Sequence, residues 1–216
     1  MRASDATFVA GTSDPPLAVV VLAAGASERF GGFPKALVRI DGETAVERVV
    51  RMGLGLHPSE LVVVTGPHRP AIRSALAGPG VRVIENAAWA YGRTGSIQVG
   101  LSEVPEDANV LLWPVDHPLV EDMTLRALVI AAHEDQMAVW FIPTQDGRGG
   151  HPVLLRPSVR PLIRSLPPDV PLHQLLPGLG VGVRRVTVHD PGVLANVDTP
   201  EALGRALAER RRRGEG

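Results

Sequence analysis

The sequence predicts an α/β protein with a doubly wound, mostly parallel sheet. Short apolar runs alternate along the chain with helical stretches. The runs are continuous and rich in β-branched residues, as expected of strands that are covered on both faces. Such an alternation favours an open parallel sheet with helices on both sides.

Six apolar runs are the predicted strands of that sheet, and they cover residues 17–22, 61–65, 81–84, 110–115, 139–143 and 181–188. The glycine-rich stretch 146–150 follows the fifth run and separates it from another short apolar run. We therefore expect a small β-hairpin insertion whose second strand covers residues 153–155.

Helix signals lie between the strands. Thr44 and Glu47 form a capping box that opens a helix to about Leu54. The last helix begins with Thr199 as N-cap and Pro200 at its first position, and it runs into four arginines. Further helices are expected at residues 70–76, 96–101 and 121–134.

The chain has 216 residues, of which 44% are hydrophobic, and its formal net charge is -1. This length suits one domain with a large core. We assign residues 17–208 to that domain, with a disordered tail at 1–16 and a basic tail at 209–216.

Composition also argues against several classes of protein and several kinds of site. The near-zero charge argues against a protein whose whole surface binds nucleic acid and leaves local basic patches open. The sequence has no cysteine, which excludes a disulfide scaffold, a thiolate nucleophile and thiolate zinc sites. The longest apolar run is too short for a membrane span, and residues 1–16 do not read as a signal peptide. We expect a cytoplasmic protein without nucleic-acid or membrane partners.

The loop after the first strand, residues 22–35, carries the clearest chemical signal and reads LAAGASERFGGFPK. It lies at the carboxyl edge of the predicted sheet, where open α/β folds bind ligands. Small residues at 23–26 let backbone N–H groups approach an anion, and Arg29 and Lys35 add two cations. These features predict a triphosphate site. The alternative is a glycine-rich turn with two solvated cations. Neither the Walker A pattern nor the dinucleotide pattern GxGxxG is present.

Two carboxylates flank the same predicted edge. Asp116 directly follows the strand at 110–115, and Asp198 directly precedes the last helix. Mg²⁺ is commonly held by one or two carboxylates together with substrate phosphates. Asp116 could instead be a turn or cap residue, and Asp198 could serve the helix dipole.

The pattern LAAG-x-S-x-R-x-G-x-x-x-K resembles the signature of the MobA-like nucleotidyltransferases, closest to the molybdenum cofactor (molybdopterin) cytidylyltransferases. The resemblance covers roughly residues 17–207. It implies a Rossmann-like, GT-A-like nucleotidyltransferase fold. It also implies Mg²⁺-dependent attack of a substrate phosphate on the α-phosphate of a nucleoside triphosphate, with release of pyrophosphate.

The resemblance assigns roles to residues. Arg29, Lys35 and Asp116 would be catalytic, and Asp116 and Asp198 would hold Mg²⁺. The segment 86–101, NAAWAYGRTGSIQVGL, is similar to the family's nucleotide-binding segment, with Ser96 expected at a helix start. An ordinary capped helix is the alternative there. The nucleotide-binding residues would be Leu22, Ala23, Ala24, Gly25, Ser27, Asn86 and Ser96.

The sequence Gly-Gly-His-Pro at 149–152 resembles the cytidylyl branch specifically, and His151 would face a molybdopterin-type acceptor. A structural role for this histidine is equally open. In the families that this sequence resembles, LAAG accompanies cytidylyl transfer and LAGG accompanies guanylyl transfer, so the resemblance at Ala24 favours CTP over GTP. A molybdoenzyme or its chaperone would then receive the product.

Three other functions stay open. They are guanylyl transfer to the same cofactor, nucleotidyl transfer to a sugar or alcohol phosphate, and nucleotide binding by a non-catalytic regulatory protein.

Overall fold

The computed structural model describes residues 15–27, 30–76, 78 and 80–214. Its strands are β1 Leu17–Ala23, β2 Arg39–Ile40, β3 Glu43–Thr44, β4 Glu60–Thr65, β5 Arg82–Glu85, β6 Asn109–Pro114, β7 Trp140–Gln145, β8 Arg148–Gly149, β9 Val153–Leu155 and β10 Val183–Thr187. Its helices are α1 Ala45–Leu54, α2 Arg69–Ala75, α3 Arg93–Ser102, α4 Asp122–Glu134, α5 Arg160–Ser165, α6 Leu176–Leu179 and α7 Pro200–Arg212.

The main sheet has the strand order β5-β4-β1-β6-β9-β7-β10, and β8 pairs with β7. Strands β5, β4, β1 and β6 are parallel neighbours, and β10 is parallel to β7. Strands β2 and β3 form a separate antiparallel ribbon. The predicted α/β fold with a mostly parallel sheet is confirmed.

The hairpin after β7 differs in detail from the expectation. Its return strand is β8, which pairs with β7 across the turn at Asp146 and Gly147. The strand predicted at 153–155 is β9, and it lies inside the sheet, antiparallel to both β6 and β7. Its three residues are buried because both sheet faces are covered there, so the segment completes the sheet and is more than an appended hairpin.

The core lies on both faces of the sheet. Along β1, Val19 and Val21 pack toward α1 and α4, whereas Val20 and Leu22 pack toward α3 and α5. Successive strand residues point to opposite faces. This double coverage explains why β1 is apolar at every position.

The last helix docks on a third, smaller cluster through Leu203 and Leu207. Residues 209–212, expected as the start of a basic tail, continue α7 instead. Two ion pairs hold side chains at this end of α7, Arg210 with Asp41 at 3.0 Å and Arg213 with Glu209 at 2.7 Å. The expected N-terminal tail lies outside the described residues, apart from positions 15 and 16.

In the described part of the chain, no helix has the length and apolarity needed to cross a bilayer.

Candidate active site

The loop that follows β1 runs along the carboxyl edge of the sheet. Its path is fixed at two points. The Ser27 hydroxyl accepts a hydrogen bond from the Lys35 backbone N–H at 3.0 Å, and His68 Nε2 donates to the Ala26 carbonyl at 3.0 Å. The loop is therefore tied both to its own far end and to the start of α2. Arg29, expected as a second cation of this loop, lies outside the described residues.

Lys35 begins a short 3₁₀ helix at the end of that loop. Its ammonium group lies between two carboxylates, with Nζ 2.8 Å from Asp116 Oδ2 and 2.8 Å from Asp198 Oδ1. It is the only lysine in the sequence. Three charged residues that the sequence analysis placed at one sheet edge are thus in direct contact.

Asp116 follows β6 and is 4% exposed. Burial opposes its ionisation, but the Lys35 ammonium and the other positive groups nearby together outweigh burial and hold the pKa of the Asp116 carboxyl below its usual value. Its second oxygen, Oδ1, is buried and has no hydrogen-bond partner among the described residues. An ionised carboxylate with one unpartnered oxygen is a ready acceptor for a cation or a donor group.

Asp198, near the C-terminal end of the chain, lies beside the same Lys35 ammonium group. The Val197 N–H donates to the Asp116 carbonyl at 2.7 Å, which fixes the segment just before α7 against the end of β6. The Thr199 hydroxyl caps α7 by accepting from the Ala202 N–H at 3.1 Å. Since Thr199 caps the helix, the Asp198 side chain is directed to Lys35.

The expectation that Ser96 begins a helix is wrong. Helix α3 begins three residues earlier, at Arg93, because Gly92 adopts a φ of 141° and ends the preceding turn. Ser96 lies in the second turn, where its hydroxyl accepts a hydrogen bond from Asn86 Nδ2 at 2.9 Å. Both side chains are buried, so the pair forms a rigid support, and Ser96 faces the neighbouring cleft.

The cleft has a volume of about 160 Å³ and opens beside Lys35 and Asp116. Every residue of the loop predicted to bind nucleotide lines it, namely Leu22, Ala23, Ala24, Gly25 and Ser27. Residues that the sequence analysis did not single out as ligand contacts also line it, namely His68, Trp89 and Arg93.

Gly66 was missed as well. A Cβ atom at this position would lie 2.4 Å from the Ala24 carbonyl oxygen and 2.9 Å from Trp89 Cγ, so only glycine fits. The available signal was its place directly after β4, at the same carboxyl edge of the sheet.

A second cavity, of about 620 Å³, adjoins the cleft, and His151 lines it. The His151 ring lies against the His117 ring, with centroids 4.9 Å apart. Burial lowers the pKa of His151 to about 4, and the nearby His117 acts in the same direction. Burial also lowers the pKa of His117, although Asp116 opposes that change. Both rings are therefore neutral at pH 7.

Comparison with known proteins agrees with this arrangement. A family model described as the MobA-like NTP transferase domain matches residues 19–183. Nicotine blue oxidoreductase of Paenarthrobacter nicotinovorans is 29% identical over 162 residues, which cover 72% of this chain and 78% of that protein. The bifunctional protein GlmU of Chromobacterium violaceum is 34% identical over 117 residues, and these cover 54% of this chain but only 26% of that protein.

Solved structures share the fold. A nucleotidyl transferase from Methanothermobacter thermautotroptrophicus, Mth528, superposes with a TM-score of 0.77 at 24% identity and covers 91% of this chain and 98% of its own. Rv0371c of Mycobacterium tuberculosis, in a complex with manganese, gives 0.71 at 24% identity, covering 91% and 100%. CMP:2-keto-3-deoxy-manno-octonic acid synthetase in a complex with CTP gives 0.72 at 18% identity, covering 92% and 99%.

The match to the family model spans the β1 loop, Asp116 and the strands that carry the site. This chain belongs to the MobA-like NTP transferase family.

Proposed function

We propose that this nucleotidyltransferase moves CMP from CTP to the phosphate of molybdopterin, with a divalent metal, Mg²⁺, and with release of pyrophosphate. The observation that carries the proposal is the contact of Lys35 with both Asp116 and Asp198 beside the loop-lined cleft. The Gly-Gly-His-Pro segment supports the cytidylyl branch, since His151 lines the cavity next to that cleft.

The residues present suit a divalent metal. Asp116 Oδ1 is a buried carboxylate oxygen without a partner among the described residues, and Asp198 supplies a second carboxylate 2.8 Å from the same ammonium. No group of three or more metal-binding side chains occurs within the described ranges. This donor set matches Mg²⁺, which needs few protein ligands when phosphates complete its coordination. When bound, the metal neutralises phosphate charge.

Lys35 and the β1 loop would hold the triphosphate. Backbone N–H groups of the small residues 23–26 can approach phosphate oxygens closely, and the Ser27–Lys35 hydrogen bond keeps the loop and the ammonium together. Arg29 would add a second cation. Positive groups placed where pyrophosphate leaves stabilise the charge that develops on it.

The attacking phosphate needs no general base, because it is already anionic at neutral pH. The lowered pKa values of His117 and His151 are consistent with this, since they make both rings weak proton acceptors. The chain's part in the reaction is then alignment of two phosphates and stabilisation of charge.

The test is pyrophosphate release from Mg²⁺ and CTP with molybdopterin as acceptor. We expect Lys35→Ala and Asp116→Asn each to lower the rate by about 100-fold or more, the usual scale for a group that stabilises transition-state charge. Asp122→Asn is the matched control, because Asp122 pairs only with Arg126 on the surface of α4 among the described residues, and its rate should stay within about twofold. Equal rates in all three variants would refute the assignment.

Acceptor choice is tested in the same assay by replacing molybdopterin with a sugar 1-phosphate. A higher kcat/KM with the sugar phosphate would move the proposal to that class of acceptor. Oxidation or reduction of nicotine blue without CTP is the activity that the name of the oxidoreductase relative suggests. The absence of the GxGxxG pattern weighs against an activity that binds a dinucleotide cofactor through that pattern.

A further inference from the structure

The cavity of about 620 Å³ is continuous with the candidate nucleotide cleft. Leu22, Arg93 and Pro114 line both of them. Leu22 and Pro114 lie at the carboxyl ends of β1 and β6, next to Asp116. One end of this cavity therefore opens on the place where the reacting phosphates would meet.

The floor of the cavity is one face of the sheet. It is built from buried apolar side chains of four neighbouring strands, namely Leu22, Leu112, Val153, Ile142 and Trp140. The one polar side-chain atom among them is Trp140 Nε1, a buried donor without a hydrogen-bond partner among the described residues, and none of them carries a hydroxyl, amide or charged group. Such a floor fits a flat, largely apolar body, since sites that select hydroxyls must supply hydrogen-bonding partners for them.

Arg185 lies at the opposite end of the cavity. Its place is set by strand register, because Arg185 of β10 pairs with Ile142 of β7 and so lies on the same sheet face as the floor. Strand β10 is three strands from β6, a separation of about 14 Å at the usual spacing.

The neighbouring side chain, that of Arg184, points to the opposite face of the sheet and forms an ion pair with Asp135 at 3.3 Å. Arg185 has no hydrogen bond or ion pair with any residue that the structure describes, although it lines the cavity rim. Other polar groups at the rim are Arg93, Thr94, His151, Asp169 and His173, and the Thr94 hydroxyl already donates to the Val170 carbonyl.

We propose that Arg185 determines acceptor specificity by binding a second polar group of the acceptor, at the end opposite the reacting phosphate. The acceptor is then a bipolar molecule with a phosphate at one end, a flat apolar body, and an anionic or planar hydrogen-bond-accepting group about three strand spacings away. The guanidinium fork suits a planar group with two acceptor atoms. This inference rests on the proposed transfer to a phosphate acceptor.

The experiment compares Arg185→Gln with Arg184→Gln, which makes the same change one residue away on the opposite face. Steady-state KM and kcat are measured with molybdopterin and with CTP. We expect Arg185→Gln to raise KM for molybdopterin by about tenfold or more, while KM for CTP and kcat stay within about twofold. Arg184→Gln should leave all three values near those of the wild type. Both positions are exposed, and melting temperatures within about 2 °C of the wild type are expected.

Calorimetric titration of molybdopterin without CTP separates this inference from the proposed function. Weaker binding in Arg185→Gln than in Arg184→Gln supports the role of Arg185, even if no nucleotide is turned over. A lack of turnover would count against cytidylyl transfer alone. Equal binding in the two variants, or no binding by the wild type, overturns the role of Arg185.

Discussion

Lys35 is the residue on which the candidate site depends most. The chain has 22 basic residues apart from histidine, and Lys35 is the single lysine among them. An ammonium is a compact charge with three donors that can point in different directions. That geometry lets it contact Asp116 and Asp198 at 2.8 Å each. The planar guanidinium fork of arginine matches a single carboxylate better than two separate ones.

His151 gives a residue-scale prediction about pH. Its pKa is about 4 in the folded chain and about 6.5 when exposed, so both states are neutral above pH 6.5. As the pH falls from 6.5 to 4, the unfolded chain takes up a proton that the folded chain does not, and stability is lost. We expect the wild type to lose about 2 kcal/mol more than His151→Gln between pH 7 and pH 4.5, measured by urea unfolding.

The exposed His189 provides the control for that measurement. His189→Gln should lose as much stability on acidification as the wild type does. If His151→Gln also matched the wild type, burial of a neutral His151 would not be the cause of the pH dependence.

At the scale of elements, two buried arginines support helix ends. Arg156 donates to carbonyls at the end of α4, including that of Ala132. Arg160 is 1% exposed and donates to the Leu101 carbonyl in the last turn of α3 and to the carbonyl of Val104 just beyond it. Cations and donors at a helix C-terminus satisfy carbonyls that have no partner within the helix.

Replacement of Arg160 should therefore be costly. Arg160→Met keeps most of the side-chain volume but leaves buried carbonyls without donors, and we expect a loss of about 3 kcal/mol in the free energy of unfolding. Arg164→Met, one turn along α5, removes only an ion pair with exposed Glu106 and should cost about 0.5 kcal/mol or less. Urea unfolding measures both, and a similar cost for the two variants would contradict a capping role for Arg160.

Helix α3 shows what sequence patterns could not predict about an element. Its start depends on Gly92, where a Cβ atom would lie 2.2 Å from the Pro168 carbonyl oxygen. Its distance from the sheet depends on Gly100, where a Cβ atom would lie 2.4 Å from Val20 Cγ1. Both requirements come from segments that are distant in sequence. The local sequence pattern therefore predicted a helix in this region but put its start at Ser96, three residues after the observed start.

For the whole molecule, the site was more predictable than the cavity beside it. Lys35 and Asp198 are 163 positions apart, yet both lie beside segments that end at one sheet edge, and parallel strands bring their carboxyl ends together there. The larger cavity needs β9 between β6 and β7 and a wall formed by residues 169–176. That wall is a short 3₁₀ helix, Leu172–Leu175, that leads into the four-residue helix α6, and such short elements leave no periodic pattern in the sequence. Neither its position nor the place of Arg185 at the cavity therefore followed from the sequence.

Ligand binding should stabilise the whole domain, because the candidate site joins its N-terminal loop, its central strand β6 and the segment before its last helix. At about 100 times the dissociation constant, a ligand adds about 2.7 kcal/mol, which for a chain of this size raises the melting temperature by roughly 5–10 °C. We expect that rise with Mg²⁺ and CTP and a smaller one with GTP. EDTA should remove most of it, because the carboxylates of Asp116 and Asp198 would then repel the triphosphate without a metal ion between them. Differential scanning fluorimetry measures the shift. A larger rise with GTP would overturn the choice of CTP, and an unchanged rise in EDTA would overturn the metal.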